Sequence, residues 1–122
     1  MTGQRLNSIL ILEDEALVSL MLEDLVRGMG ARVIDVFAAA SEALQALSRA
    51  HYDCAILDVI VRDGTSNQVA DTLAQRGIPF LFSSGVGVDA LEPQHRGRTL
   101  VTKPYEDATI RSHILDLVGG RA

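Results

Sequence analysis

The chain has 122 residues, 48% of them hydrophobic, and its 16 acidic and 11 basic residues give a formal charge of -5. This length suits one domain with a sizeable core and leaves no room for two. The negative charge repels nucleic acid phosphates, so we expect no DNA or RNA binding. The single cysteine, Cys54, excludes an internal disulfide and a cysteine zinc cluster. Because the sequence has no signal peptide and no apolar stretch of about 18 residues, we expect a cytoplasmic protein without membrane association.

Apolar segments of strand length alternate along the chain with segments of helical periodicity. Predicted strands cover residues 6–12, 32–37, 52–57, 78–83 and 99–102. Helical spacing predicts a helix ended by Gly30, a second capped by Ser41, a third capped by Ser66 and ended by Gly77, and a last one ended by Gly119. Because nearly continuous apolar strands alternate with helices, we expect an α/β fold with a doubly wound parallel sheet.

Segment 85–98 interrupts this alternation. It contains Gly85, Gly87, Gly97 and Pro93, which disfavour a regular helix. The fourth helix is therefore expected to be short, with about one or two turns at most, or missing.

Polar residues follow four of the predicted strands. Glu13 and Asp14 follow the first strand, Asp58 the third, Ser84 the fourth and Lys103 the fifth. Parallel strands share one carboxyl edge, where open α/β sheets bind ligands, so we expect these side chains to lie close together. Clustered carboxylates, a hydroxyl and a lysine suit a divalent cation and a phosphoryl group.

The chemistry expected of this cluster is phosphoryl transfer. Ionised carboxylates at neighbouring strand ends repel one another unless a hard cation such as Mg²⁺ binds their oxygens. Asp58 would then act as a nucleophile toward phosphorus, while Lys103 offsets the charge of the phosphoryl oxygens and Ser84 donates to one of them. Each residue alone also fits an ordinary role, as a helix-opening acid, a turn aspartate, a loop serine or a solvated lysine. Their combination at four strand ends favours one site.

The order of these motifs resembles the receiver domain of bacterial two-component response regulators, and the resemblance covers residues 7–118. It implies a flavodoxin-like (βα)5 fold with a doubly wound five-stranded parallel sheet. Segment 79–85, Pro-Phe-Leu-Phe-Ser-Ser-Gly, is similar to the Pro-Phe-x-Phe-Ala-Thr-Gly signature of the alphaproteobacterial FAT GUY regulators, which are stand-alone receivers often linked to stress signalling. Ser83 and Ser84 replace the Ala-Thr pair of that signature.

The resemblance also implies a role for each site residue, with Mg²⁺ as the cofactor. Asp58 is the phosphoacceptor and a metal ligand, Lys103 contacts the phosphoryl group, and Ser84 is the switch hydroxyl. The remaining metal ligands are Asp14, Glu13 acting through water, and the backbone carbonyl of Ile60.

Two further positions depart from the ordinary receiver pattern. The loop after Asp58 is shorter than usual and lacks the customary Met/Leu-Pro, which bears on where the carbonyl of Ile60 lies. Leu100 stands where an aromatic switch residue is usual, so the common coupling between hydroxyl and aromatic ring cannot operate there.

We therefore expect residues 1–122 to form a single receiver domain without an output domain. It would take a phosphoryl group from a histidine kinase or phosphotransfer protein and signal through a downstream effector protein. We expect no enzymatic activity other than its own Mg²⁺-dependent phosphorylation and dephosphorylation. The alternative is a degenerate receiver that binds a partner without phosphorylation. An aspartate-nucleophile phosphatase is disfavoured because Ile60 stands where its second aspartate belongs, and nucleotide or flavin binding because no glycine-rich loop follows the first strand.

Overall fold

The computed structural model describes residues 6–85 and 88–119. Within these ranges, four α-helices flank a sheet of five parallel strands. The strands of the sheet are β1 (Ser8–Leu12), β2 (Val33–Phe37), β3 (Cys54–Leu57), β6 (Phe80–Ser84) and β7 (Leu100–Thr102), and a small hairpin contributes β4 (Ile60–Val61) and β5 (Gly64–Thr65). The helices are α1 (Ala16–Gly28), α2 (Ala40–Leu47), α3 (Asn67–Gln75) and α4 (Asp107–Val118). None of these described helices is long and apolar enough to span a membrane.

The strand order is β2-β1-β3-β6-β7, and every neighbouring pair is parallel. This is the flavodoxin-like order, in which ligands bind at the carboxyl edge beside the switch point between β1 and β3. The predicted fold class is therefore confirmed. Each strand begins slightly later than predicted, because apolar residues before the strand, such as Leu6, Tyr52 and Ile78, are buried in the core without pairing in the sheet.

The sheet separates two hydrophobic cores, because successive side chains of a strand point to opposite faces. On one face, strand residues such as Leu57 and Phe82 pack with residues of α2 and α3. On the other face, Ile11 and Leu81 pack with residues of α1 and α4. Burying one such side chain contributes about 1.5–3 kcal/mol, so the two cores together fix the positions of the strand ends.

Two short 3₁₀ turns, Val88–Ala90 and Pro93–His95, stand where receivers usually have their fourth helix. The prediction of a short or missing fourth helix is thus confirmed. We call residues 88–98 the fourth-helix segment. Asn67 of α3 anchors it, because its Nδ2 donates to the Ala90 carbonyl at 2.9 Å and its Oδ1 accepts the Glu92 N–H at 2.9 Å.

His95 is the second anchor of the fourth-helix segment. Its ring is only 2% exposed and packs edge-on against Phe80 and Phe82, with centroid distances of 6.2 Å. Its Nε2 donates to Oδ1 of Asp71 on α3 at 2.7 Å, and Nε2 of Gln94 donates to the same oxygen at 3.3 Å. Side chains of α3 therefore hold this segment in place.

The loop after Asp58 forms the hairpin β4–β5, which is not among the predicted elements. Val61 pairs with Gly64, whose φ of 132° favours glycine. Val59 and Val61 are buried in the core, so the hairpin is packed against the body of the protein on one side.

The turn of this hairpin caps helix α2. Asp63 accepts the backbone N–H of Ala40 at 2.7 Å and of Ser41 at 3.1 Å, which are among the N–H groups without partners inside the helix. The prediction that Ser41 caps this helix is wrong. The N-cap residue is Ala39, whose side chain has no acceptor, and a residue distant in sequence supplies the carboxylate instead.

We expect Asp63→Ala to lower the urea midpoint of unfolding, because both N–H groups lose their acceptor. Hydrogen bonds from the Ala40 and Ser41 N–H groups hold the pKa of Asp63 below its usual 3.8. The pKa of Asp63 is lower in the folded protein than in the unfolded chain. The cap therefore stabilises the fold fully at pH values above the unfolded pKa, and this stabilisation is lost as the pH falls through the folded pKa.

Urea titrations of wild type and Asp63→Ala should therefore differ by a constant amount near neutral pH. The difference should shrink as the pH falls below 3.8. Asp63→Asn, which keeps one acceptor oxygen, should lie between the two. Equal midpoints at neutral pH would contradict the capping role.

Candidate functional site

The carboxyl ends of four strands bring the predicted site residues together. Glu13 and Asp14 follow β1, Asp58 follows β3, Ser84 ends β6, and Lys103 follows β7. Because these strands pair in parallel, their carboxyl ends lie at one edge of the sheet. The two core clusters that fix the strands thereby also fix the backbone of the site.

Lys103 is the centre of the cluster and the only lysine in the chain. Its Nζ lies 2.7 Å from Glu13 Oε1, 3.0 Å from Asp58 Oδ2 and 2.9 Å from Glu15 Oε1. Glu15 is not among the predicted site residues, because only its position just before α1 marks it in the sequence. Its side chain is 63% exposed, so solvent screens this contact more than the two inner ones.

Three carboxylates of the cluster are placed to share a cation. Glu13, Asp14 and Asp58 each have an oxygen within 4.8 Å of the others. Glu13 and Asp58 are buried and Asp14 is exposed, so the group opens to solvent on one side. Oxygen ligands at this spacing suit a hard divalent cation such as Mg²⁺.

The buried charges of the cluster shift two pKa values. Burial raises the pKa of Glu13, and the nearby charge of Asp58 adds to this, although Lys103 and the N–H of Glu15 act in the opposite direction. Burial alone would lower the pKa of Lys103, but its hydrogen bonds to Glu13, Glu15 and Asp58 together raise it. Lys103 is therefore charged at neutral pH and compensates part of the negative charge.

Asp58 is held by contacts to both of its carboxylate oxygens. Oδ1 accepts the backbone N–H of Val59 at 2.7 Å, and Oδ2 accepts from Lys103 Nζ at 3.0 Å. The side chain is buried, and yet Asp58 lines an open groove. A fixed carboxylate beside an opening is a suitable acceptor for a group delivered from outside.

Ser84 and Ile60 lie on either side of Asp58. Ser84 is buried, and its carbonyl accepts the backbone N–H of Lys103 at 3.0 Å, which joins the ends of β6 and β7. Ile60 begins strand β4 and is 39% exposed. Both residues line the same groove as Asp58. The metal role of the Ile60 carbonyl stays a prediction.

A groove of about 730 Å³ leads from Asp58 along helix α1. Its lining combines the polar residues Asp58, Ser84 and Lys103 with less polar ones such as Leu17 and Tyr105. Leu17 is 82% exposed, and Leu20 on the same helix is 56% exposed. An apolar strip beside a charged site suits contact with another protein.

Comparison with known proteins identifies relatives over nearly the whole chain, although no family model matches it. The phyllosphere-induced regulator PhyR of Methylorubrum extorquens is 33% identical over 110 residues, which cover 87% of this chain and 41% of PhyR. The solved structure of SdrG from Sphingomonas melonis Fr1 is 34% identical, with 92% of this chain and 96% of SdrG covered and a TM-score of 0.80. The receiver (REC) domain of the response regulator PhyR from Erythrobacter litoralis is 28% identical, with coverages of 94% and 92% and a TM-score of 0.80.

The chain belongs to the receiver domains of response regulators. This confirms the family resemblance carried by the strand-end motifs. The receiver spans about 41% of the length of PhyR from M. extorquens.

The receiver lacks an aromatic residue at the usual switch position of β7. Leu100 occupies this position, pairs with Phe82 of β6, and packs partly buried against the core on that face. The aromatic residue near the site is Tyr105 instead, which follows Lys103 and lines the groove.

Proposed function

We propose that this receiver accepts a phosphoryl group on Asp58 and passes the signal to a partner protein. The observation that carries the proposal is the placement of Asp58, with one oxygen bound to the Val59 N–H and the other to Lys103 at the end of a groove. The donor would be a histidine kinase or a phosphotransfer protein within a phosphorelay.

In the proposed reaction an oxygen of Asp58 attacks phosphorus, the bond from phosphorus to the donor breaks, and an acyl phosphate forms. Lys103 is 3.0 Å from Asp58 and offsets the negative charge on the phosphoryl oxygens. Ser84 donates a hydrogen bond to one of these oxygens. The receiver is a signalling regulator in this reading, with no catalytic activity beyond its own phosphorylation and dephosphorylation.

The acidic residues fit Mg²⁺ as cofactor, because three carboxylates have oxygens within 4.8 Å of one another. We assign Asp14 and Asp58 as direct ligands, Glu13 as a ligand through water, and the Ile60 carbonyl as the backbone ligand. When bound, the ion supplies charge compensation for the phosphoryl oxygens.

We propose that partner proteins use the groove beside α1 and the surface around the site. Phosphorylation replaces the single negative charge of the Asp58 carboxylate with a phosphate of about -2 and brings three acceptor oxygens, which changes the contacts available to the side chains around it. A partner with different affinities for the two states then reads the change. The net charge of -5 disfavours nucleic acid as this partner, and we place the exchange in the cytoplasm, away from membranes.

The test is labelling of the purified receiver by a small phosphodonor, such as acetyl phosphate, followed by intact mass measurement. We expect one added phosphoryl group with Mg²⁺, none with a chelator, and its removal by hydroxylamine, which attacks acyl phosphates. Folded protein that stays unlabelled by several donors in the presence of Mg²⁺ would overturn the proposal.

A binding module that works without phosphorylation is the second candidate, favoured by Leu100 at the switch position and by the short loop after Asp58. The two candidates differ in how Asp58→Ala affects partner capture. The module predicts equal capture by wild type and variant, whereas the phosphoacceptor predicts capture that depends on labelling.

A further inference from the structure

Two consecutive serines at the end of β6 serve opposite faces of the sheet. Side chains alternate along a strand, so Ser83 lies on the same face as Leu81, in the core beside α1 and α4, and Ser84 on the same face as Phe82. Ser83 is 1% exposed. A hydroxyl buried this deeply needs a hydrogen-bond partner.

The partner of Ser83 is Tyr105. Ser83 Oγ donates to the Tyr105 hydroxyl at 3.2 Å, and the tyrosine ring packs partly buried against the same core. Burial raises the pKa of Tyr105, so its hydroxyl is neutral at physiological pH and able to take part in this bond. Tyr105 stands two residues after Lys103, and Ser83 stands immediately before Ser84.

We propose that Ser83 and Tyr105 are positioning residues that hold Lys103 and Ser84 in place for phosphoryl transfer. Two bonds join the end of β6 to the turn after β7: the Lys103 N–H to the Ser84 carbonyl at 3.0 Å, and the hydroxyl pair of Ser83 and Tyr105. The first acts at Lys103 itself. The second fixes the chain beyond it and restricts the directions that the lysine side chain can take.

The serine of this pair departs from the signature that segment 79–85 resembles. The signature that segment 79–85 resembles has alanine at the position of Ser83, and alanine cannot make the bond. Because Leu100 of β7 is not aromatic, Tyr105 is the aromatic residue that packs the turn after Lys103 against the core. The inference rests on the proposed function for its kinetic consequence but not for its structural one.

The structural consequence is tested first, because it needs no phosphorylation. Lys103 is the only lysine of the chain, so lysine labelled with ¹³C at Cε alone gives one side-chain carbon signal in an NMR spectrum. Ser83→Ala and Tyr105→Phe should each shift and broaden this signal. Ser83→Thr, which keeps a hydroxyl, should restore it. The matched control is Tyr52→Phe, which removes the other tyrosine hydroxyl, bonded to Asp35, and should leave the signal unchanged.

The kinetic consequence is a slower transfer of the phosphoryl group to Asp58. Ser83→Ala and Tyr105→Phe should each slow labelling by acetyl phosphate about three- to ten-fold, the usual effect of one neutral hydrogen bond. The double variant should be no slower than either single one, because both remove the same bond.

An unchanged lysine signal in both variants would overturn the inference, whatever the labelling shows. Wild-type protein that takes no label, with a lysine signal that does respond to the variants, would overturn the proposed function but support the positioning pair. Labelling rates equal to wild type in both variants, or losses that multiply in the double variant, would contradict the kinetic role.

Discussion

Asp58→Asn should abolish Mg²⁺-dependent phosphorylation while the receiver stays folded. Asparagine matches aspartate in shape, and its carbonyl oxygen can still accept the Val59 N–H that lies 2.7 Å from Oδ1. Its amide carries no charge and is not a nucleophile toward phosphorus, so no acyl phosphate can form. Intact mass after incubation with acetyl phosphate should show no added phosphoryl group, against one in wild type.

The control for this substitution is Asp53→Asn, at the other end of β3. Asp53 accepts the N–H groups of Asn7 and Ser8, each at 2.9 Å, and so has a structural role far from the site. This variant should lose some stability and keep its labelling. Label retained by Asp58→Asn would show that another carboxylate, such as Asp14, is the acceptor.

Lys103→Met should have two large effects, on labelling and on stability. Labelling should slow on the order of 100-fold, because the variant lacks the cation that faces the developing charge. Without Mg²⁺ the variant should also lose roughly 3 kcal/mol in free energy of unfolding, because Glu13 and Asp58 are left buried without their cation. This figure is the lower end of the range for breaking a buried ion pair. Urea titration in the presence of a chelator measures this loss.

Mg²⁺ should offset much of that loss. The Lys103 ammonium repels an incoming cation, so the variant should bind Mg²⁺ more tightly than wild type does. At 100 times its Kd the ion stabilises the folded state by about 2.7 kcal/mol. The control is Arg27→Met, which removes a surface cation whose ion pairs contribute only about 0–1 kcal/mol. Equal losses for the two variants under chelation would contradict this account of the cluster.

The strand-end residues could be predicted from the sequence because each belongs to a local pattern. An apolar run marks the strand, and the polar residue after it marks the carboxyl end, so Asp58 and Lys103 were placed correctly without any knowledge of their contacts. The broken fourth helix was predictable for the same reason, since glycine and proline act on the backbone around them.

The contacts that were missed join residues distant in sequence. Asp63 caps a helix that begins 23 residues earlier, and Asn67 holds a segment 23 to 25 residues later. No periodicity connects such residues, because each bond depends on how the elements pack. Ser41 was predicted as a cap from composition alone, but the approach of the hairpin decided the outcome. Glu15 is similar: its contact with Lys103 crosses 88 residues.

The fourth-helix segment is held by single side chains of α3 rather than by a helix of its own. A regular helix can shift only by breaking or moving its own ladder of backbone bonds as a unit. Here the restraint is divided between two side chains of α3, the buried Asn67 and the partly exposed Asp71. Point substitutions on α3 can therefore retune how readily the segment moves while the sheet and the carboxylate cluster stay unchanged. The hold on this segment and the chemistry of the strand-end cluster thus depend on different residues.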